Sequence, residues 1–430
     1  MRHAWRRVAG FGCRRPVLAT LLLLVSLSGL TSCATRLPSA PNAPPVEVPL
    51  PVVSAEAWNA RGHVVRQEPF VDPPLPDREA VLGEAWRAVY TSVSGLDGGM
   101  REVSGAFFVP RGSPPQDGWP VVSLAHETTG IGHDCGPSRQ PNLMEYAPLV
   151  QSLLTAGYAV ALSDYEGLGE SGSHPYLEPR TVAFNTIDAV RALREISPAA
   201  SARWVALGFS QGGQAVWAAN ELDSYYGDGL QLLGSVALAP PANVTGLAEL
   251  VRTGAMTANQ RARFPLVITG LARYNPDLDA QAFLHDSTEA YRNQFSRCET
   301  TRGRSNETRS APVPWGPVVD RLSEANEVKP ATAQDTAALE DALRRVALPQ
   351  RPLDRPMLVI NGEEDAVVLP DWIQYAVARS CALGGRIEYL QIPGVNHERL
   401  IAKVTRPVGS WIADRFAGLP APSNCPAGQN

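Results

Sequence analysis

Short apolar runs alternate with amphipathic stretches along most of the chain, and this alternation predicts the architecture. Residues 143–154 and 181–196 place apolar side chains at helical spacing. Apolar runs of strand length lie between such segments, at 121–125, 158–163, 204–207, 233–239, 357–360 and 387–392. Strand and helix alternating in this way predict an α/β fold with a mostly parallel sheet, covered by helices on both faces.

A β-hairpin is predicted ahead of this alternating region. Residues 88–93 and 102–109 have the composition of strands, and Asp97-Gly98-Gly99 between them is a strong turn signal. The alternation stops between residues 242 and 353, where the sequence is helical and loop-like. We expect this stretch to be an insertion.

The N-terminal residues differ from the rest of the chain. Residues 1–32 combine five arginines with an apolar run at 17–30, which predicts a secretory signal peptide rather than a membrane-spanning helix. Leu30-Thr31-Ser32-Cys33 also resembles a bacterial lipobox, so Cys33 is expected to be lipidated and to anchor the protein to a membrane. Ordinary signal cleavage, with Cys33 as a free thiol, is the alternative. The Pro-rich residues 33–58 are predicted to form an extended tether.

The net charge bears on which partners the protein can bind, and the cysteine content bears on the compartment in which it works. The formal charge of −5 becomes about −10 without the five arginines of the signal, and basic stripes are absent, which argues against a nucleic-acid partner. Export would place the remaining cysteines in an oxidising compartment, where their even number allows three disulfide pairings. A zinc site is the alternative, although no CxxC or HxxxH spacing supports it. These cysteines are Cys135, Cys298, Cys381 and Cys425.

A GxSxG motif, Gly208-Phe209-Ser210-Gln211-Gly212, lies between a predicted strand at 203–207 and a predicted helix at 213–226. A sharp turn from strand to helix exposes the serine hydroxyl and brings it within reach of a base. The motif therefore makes Ser210 the candidate nucleophile. An ordinary tight turn is the alternative, because the chain contains 36 glycines.

Two later residues complete a candidate triad. Asp365 and His397 each follow a predicted strand, and the order Ser, acid, His is that of the α/β-hydrolase triad. Asp365 could instead cap a turn or helix, with Glu363 or Glu364 as the acid. The other histidines fit the order less well, because one precedes the acid and the rest precede the serine. Outside the predicted signal peptide they are His285, His63, His126, His133 and His174.

An oxyanion hole requires two N–H donors beside the nucleophile. The backbone N–H of Gln211, the residue after the serine, is the first expected donor. The second is expected from the loop after the 121–125 strand, with Thr128 preferred and Glu127 as the runner-up. The alternative is that this loop is held by the nearby Cys135.

At these residues the chain resembles the secretory lipase, or lipase A-like, branch of the α/β-hydrolases. The resemblance covers residues 70–417 and rests on HETTG at 126–130, DCGPS at 134–138, DYEGLG at 164–169, HPYL at 174–177, the serine motif, and GEED at 362–365 with Cys381 and His397. It implies Ser210 as nucleophile, Asp365 as acid, His397 as base and a helical cap. It further implies disulfides between Cys135 and Cys298 and between Cys381 and Cys425.

Two features depart from the family pattern. Glu127 stands where bacterial relatives commonly have glycine, and the 298–307 stretch of the expected cap is polar. Esterase activity on shorter or bulkier acyl groups therefore fits as well as lipase activity.

The sequence thus predicts a signal peptide (1–32), a tether (33–58), a hydrolase core in two parts (59–241 and 354–418), a cap that shapes the acyl pocket (242–353) and a tail (419–430). A second helical subdomain is the alternative for the cap. The expected function is hydrolysis of ester or lipid substrates through an acyl-enzyme, with no metal, organic cofactor or obligate protein partner. An acyltransferase, a peptidase, or a non-catalytic envelope protein are the alternatives.

Overall fold

A computed structural model describes residues 41–284, 298 and 328–426 of the chain. These residues belong to one unit, which begins at Leu37. The predicted signal peptide at 1–32 and the predicted lipidation site, Cys33, lie outside the described residues. None of the described helices combines the length and hydrophobicity that crossing a bilayer requires.

The described residues form a sheet of nine strands in the order β1-β2-β3-β5-β4-β6-β7-β8-β9. Strands β1, β2 and β3 pair antiparallel, β3 pairs antiparallel with β5, and all pairs from β5 to β9 are parallel. The strands are Val64–Pro69 (β1), Leu82–Val93 (β2), Met100–Pro110 (β3), Trp119–Ala125 (β4), Ala159–Ser163 (β5), Ala200–Phe209 (β6), Gln231–Leu238 (β7), Met357–Gly362 (β8) and Ile387–Ile392 (β9).

Helices connect the parallel strands and cover both faces of the sheet. They are Ala55–Asn59 (α1), Arg78–Val81 (α2), Ala147–Thr155 (α3), Pro179–Ile196 (α4), Gln211–Glu221 (α5), Asp223–Tyr226 (α6), Leu247–Thr253 (α7), Ala258–Ala272 (α8), Ala333–Val346 (α9), Pro370–Ala382 (α10) and Leu400–Phe416 (α11). Short 3₁₀ turns occur at Pro137–Arg139, Pro141–Leu143 and Ala280–Ala282.

Successive side chains of a strand point to opposite sides of the sheet, and the central strands β4 to β8 are buried on both sides because helices cover both faces. In β6, Trp204 and Ala206 pack in the core layer formed with α4 and α5. Val205 and Leu207 pack in the opposite layer, formed with α3 and α11. The near-continuous apolar runs of the sequence reflect this double burial.

The predicted hairpin and all the predicted strands are present, and the predicted α/β architecture is confirmed. The turn at Asp97-Gly98-Gly99 is closed by the amide of Ser94, which donates to the carbonyl of Gly99 at 2.9 Å. One strand was not predicted: β1 exposes most of its side chains at the sheet edge and carries no hydrophobic alternation. The helix expected at 143–154 begins only at Ala147, because residues 142–145 have φ between 52° and 71°, which a right-handed helix excludes.

The tether predicted at 33–58 requires a correction for its described part. Helix α1 occupies its end, and residues 42–51, here called the N-terminal segment, are hydrogen-bonded to the rest of the unit. The Asn42 side chain binds the Asn243 carbonyl and the Gly246 amide, and the amide of Val46 donates to Arg344 O at 3.0 Å. Proline-rich composition did not reveal these contacts, because backbone groups make most of them.

The cap, defined as residues 242–353, is helical in its described part and contacts the loops at the carboxyl ends of the strands. A capping box at Thr257 begins α8, and the same hydroxyl donates to the Ala366 carbonyl, one residue beyond Asp365. At the other end of α8, Arg273 donates to Ile131 O and Tyr274 donates to Tyr176 O. The cap boundaries remain a prediction, and residues 285–297 and 299–327 lie outside the described part.

Two disulfides connect distant parts of the described chain. Cys135 pairs with Cys298, with a Cα–Cα distance of 4.9 Å, and Cys381 pairs with Cys425 at 5.4 Å. The first joins the region after β4 to the cap. The second holds residues 419–426 of the predicted tail beside β9, where Asn424 exchanges hydrogen bonds with Tyr389.

Candidate active site

Ser210 occupies a sharp turn between β6 and α5. Its backbone has φ 52° and ψ −120°, a conformation outside the regions that L-residues normally adopt. The turn is tight enough that a Cβ at Gly208 would collide with the Gly212 carbonyl, and one at Gly212 with the Ala125 carbonyl at the end of β4. Glycine is therefore required at both positions, and the turn projects Ser210 from the sheet edge.

Hydrogen bonds connect Asp365 to His397 and His397 to Ser210. His397 Nε2 lies 3.1 Å from Ser210 Oγ, and His397 Nδ1 lies 2.7 Å from Asp365 Oδ2. The other carboxylate oxygen of Asp365 accepts from the amides of Val367 and Val368, both at 2.9 Å. Because the carboxylate accepts a hydrogen bond from Nδ1–H, the neutral imidazole presents the lone pair of Nε2 to the serine hydroxyl.

The structure distinguishes Asp365 and His397 from the other carboxylates and histidines that the sequence offered for the same roles. Glu363 and Glu364 are exposed to solvent, whereas Asp365 is fully buried against His397. Asp365 also caps the turn that leads to α10. It does so with Oδ1, while Oδ2 binds His397, so one carboxylate makes both contacts. His63 pairs with Glu195 on the surface, and His285 lies outside the described residues.

The two expected oxyanion-hole donors are the backbone amides of Gln211 and Thr128. Gln211 is the first residue of α5, so its amide has no acceptor within the helix. Thr128 lies in the loop after β4, and its amide makes no hydrogen bond to another described residue. The amide of Glu127, the runner-up, instead donates to the Tyr146 hydroxyl at 2.8 Å. This contact favours Thr128 over Glu127, and both Tyr146 and the Cys135 disulfide hold the loop region.

Two buried histidines lie close to these donors. Desolvation lowers the pKa of His174 to about 3 and that of His126 to about 4, so both rings are neutral near pH 7. His174 Nε2 lies 2.8 Å from the side-chain nitrogen of Gln211. The sequence had singled out His174 and Tyr176 only within the HPYL motif, and it gave no indication of Tyr146.

Acidic side chains near the site are held by structural contacts. Asp164 is fully buried and binds the hydroxyl of Ser104 at 2.6 Å and the amide of Ser138 at 2.8 Å. Its contacts fit the expectation that the 164–169 region forms turns of the fold. Burial raises the pKa of Glu166 to about 7, and Arg101 opposes this shift from 3.1 Å.

Metal ligands do not gather near Ser210 in the described residues. The group with suitable spacing is Asp134 with Cys135 and Cys298. Both thiols belong to one disulfide, which leaves a single carboxylate as a ligand. The zinc alternative for these cysteines was therefore wrong.

The strand order and the serine turn after a central parallel strand define an α/β-hydrolase. Residues 144–424 match the sequence model of the family described as secretory lipase, which is well over half of the chain. The chain belongs to the secretory lipase family.

Solved structures confirm the fold. Lipase A of Candida antarctica in its closed state is 17% identical, with a TM-score of 0.65 over 88% of this chain and 89% of that one. The rice cell wall degrading esterase LipA of Xanthomonas oryzae is 18% identical, with a TM-score of 0.64 over 84% and 98%. A putative hydrolase of Legionella pneumophila is 15% identical, with a TM-score of 0.65 over 83% and 99%. No protein of curated function matches the sequence.

Proposed function

We propose that the protein hydrolyses carboxylic esters, with Ser210 as nucleophile, His397 as general base and Asp365 as the acid that orients the base. The observation that carries this proposal is the line of hydrogen bonds from Asp365 through His397 to Ser210 Oγ. Membership of the secretory lipase family supports the same reaction class.

In the first step, Ser210 Oγ attacks the ester carbonyl carbon while His397 Nε2 takes the hydroxyl proton. The resulting imidazolium is stabilised by Asp365, whose carboxylate stays ionised. Collapse of the tetrahedral intermediate breaks the bond to the alcohol, which leaves with the proton from His397. Water, deprotonated by His397, then attacks the acyl carbon. The bond to Ser210 Oγ breaks, His397 returns the proton to Oγ, and the carboxylic acid leaves.

The intermediate carries a negative oxygen that the amides of Gln211 and Thr128 would bind. Both amides are fixed by the fold before substrate arrives, so little reorganisation opposes their action. Each such donor typically contributes about 3 kcal/mol to catalysis. This chemistry uses side chains and backbone amides of the chain itself.

The substrate class is an ester, and family membership favours a lipid ester. One structural neighbour is a lipase and another is an esterase that degrades rice cell walls. Acyl chains from short to long therefore need to be compared directly.

The decisive experiment measures hydrolysis of p-nitrophenyl esters from acetate to palmitate by the purified protein. Ser210→Ala is expected to abolish turnover, whereas Ser171→Ala, at an exposed serine, should leave it unchanged. A fluorophosphonate probe should label the wild type and not Ser210→Ala. Activity that survives Ser210→Ala would refute the proposed mechanism.

Family membership and the two disulfides indicate an exported protein. We propose further that lipidation at Cys33 holds it on the cell envelope. Mass spectrometry of the protein from its membrane fraction should find acyl chains on Cys33, and Cys33→Ser should release the protein into the soluble fraction. Recovery of an unacylated Cys33 from membranes would contradict this anchor.

A further inference from the structure

The residues 174–176, here called the His-Pro-Tyr segment, contact both sides of the proposed oxyanion hole. His174 binds the side chain of Gln211, and Tyr176 binds the side chain of Thr128. Gln211 and Thr128 are the residues whose amides are assigned to the hole. One short stretch of chain therefore reaches both donor residues through their side chains.

The contact of His174 with Gln211 has a defined direction. His174 Nδ1 lies 2.9 Å from the carbonyl of Glu166, which can only accept, so the proton of the neutral ring is on Nδ1. Nε2 is then an acceptor, and the side-chain nitrogen of Gln211, Nε2, donates to it at 2.8 Å. Both side chains are fully buried. The side chain of Gln211 is thus fixed at the first residue of α5.

The contact of Tyr176 with Thr128 fixes the opposite side. The two hydroxyls lie 2.8 Å apart, and Tyr176 is only 6% exposed. The loop that carries Thr128 is also held at the preceding residue, where the amide of Glu127 donates to Tyr146. These bonds hold the loop at Glu127 and at the Thr128 side chain, and neither of them uses the Thr128 amide.

The His-Pro-Tyr segment also contacts the cap. The Tyr274 hydroxyl donates to the backbone carbonyl of Tyr176 at 2.8 Å, and Gly270 lies against the Tyr176 side chain. Gly270 lies in the last turn of α8, and Tyr274 follows the helix. Tyr176 therefore joins the cap to Thr128, and His174 of the same segment binds Gln211.

We propose that His174 and Tyr176 are positioning residues that set the geometry of the oxyanion hole, His174 through Gln211 and Tyr176 through Thr128. This inference rests on the proposed ester hydrolysis and extends it. The segment touches no reacting atom in this scheme. Its effect is expected on the transition state, where the negative oxygen forms, and not on ground-state binding.

The test removes single oxygen atoms and measures kcat and KM separately on p-nitrophenyl butyrate. Tyr176→Phe and Thr128→Val should each lower kcat about tenfold with little change in KM, since a neutral hydrogen bond is worth about that factor. The double variant should lose no more than either single variant, because both remove the same bond. His174→Ala and Gln211→Ala should behave in the same way as a second pair.

A trifluoromethyl ketone inhibitor reports on the hole directly, because its adduct with Ser210 carries a negative oxygen. Its affinity should fall in these variants by about the same factor as kcat. Tyr226→Phe is the matched control: it removes a buried hydroxyl that binds Asp188 at 2.7 Å, outside the site. This control should lose stability and keep both kcat and inhibitor affinity.

The outcomes separate this inference from the proposed function. If wild type and Ser210→Ala hydrolyse the ester equally, the proposed function itself fails. If hydrolysis depends on Ser210 while Tyr176→Phe and His174→Ala keep full kcat and inhibitor affinity, only the positioning role is overturned. Equal losses of kcat in Tyr226→Phe and Tyr176→Phe would also overturn it, because both would then act through general destabilisation.

Discussion

Gly270 of the cap lies so close to Tyr176 of the core that a Cβ at Gly270 would be 2.6 Å from the Cβ of Tyr176. Real carbon atoms do not approach so closely without displacement of one partner. The contact occurs inside helix α8, where glycine is otherwise unfavourable. Close packing of the cap against the core explains the glycine at this position.

Gly270→Ala is therefore expected to destabilise the protein and lower its activity. Alanine favours a helix by about 1 kcal/mol over glycine, but overpacking typically costs about 1 to 3 kcal/mol, and the displaced residue is the one that binds Thr128. Unfolding in urea and kcat on a p-nitrophenyl ester would measure both effects.

Gly409→Ala provides the control in another helix. Gly409 lies on the exposed side of α11, and a Cβ there would meet no atom within 4 Å. This variant should gain about 1 kcal/mol of unfolding free energy with unchanged kcat. If both substitutions stabilised the protein equally, Tyr176 would move aside for the new Cβ without loss of unfolding free energy, and the packing explanation would fail.

Asp365→Asn should lower kcat by about four orders of magnitude while the fold is retained. The two amides of Val367 and Val368 require an acceptor at Oδ1, so the new NH₂ group must face His397. His397 would then carry its proton on Nε2, which cannot take the proton of Ser210. Glu364→Gln, at the exposed neighbouring carboxylate, should retain wild-type kcat. A large loss in Glu364→Gln instead would reassign the acid.

The stability of the protein should depend on pH through Glu166. Burial raises the pKa of this carboxyl from 4.5 to about 7, so the folded state holds a proton that the unfolded state has released. The contribution is therefore present below pH 4.5 and is lost as pH rises through about 7. It amounts to at most about 3 kcal/mol.

Glu166→Gln removes this titration, and urea unfolding at several pH values would measure the difference. The wild type should lose more unfolding free energy between pH 4.5 and pH 8 than the variant does. Parallel curves for the two proteins would show that Glu166 titrates alike in both states.

Removal of the Cys381–Cys425 disulfide by a double serine substitution should lower the unfolding free energy by about 3 kcal/mol. The bond holds residues 419–426 beside β9 and closes a loop of 44 residues. Because these residues do not contact Ser210 or His397, kcat should be retained. A reductant that reaches this bond should lower the melting temperature of the wild type more than that of the variant. Loss of kcat without loss of stability would contradict this assignment.

The sequence was sufficient to predict the strands of the parallel sheet and the candidate triad. Buried parallel strands leave continuous apolar runs, and Ser210, Asp365 and His397 each follow such a run in the order of the hydrolase triad. Their convergence at one sheet edge is a consequence of parallel strands, which all end on the same side. The position of these three residues at one edge of the sheet could therefore be predicted from the sequence.

Other features depended on contacts between residues far apart in the sequence. Strand β1 is fixed by pairing with β2 and exposes most of its own side chains, so it has no hydrophobic signal. The sequence preferred Thr128 over Glu127, but the contact that supports this preference involves the Tyr146 hydroxyl, 19 residues from Glu127. The His174 contact with Gln211 requires the fold to be known, because histidine and glutamine have no characteristic spacing for it.

The N-terminal segment has a consequence for the order in which the protein is completed. The amide of Val48 donates to the side chain of Gln350, and the carbonyl of Val48 accepts from Arg351, 303 residues later in the chain. This segment leaves the ribosome early, yet its binding site does not exist until the cap has been synthesised. Docking of residues 42–51 is therefore expected to be among the last steps of folding, with the earliest part of the described chain closing over the finished domain.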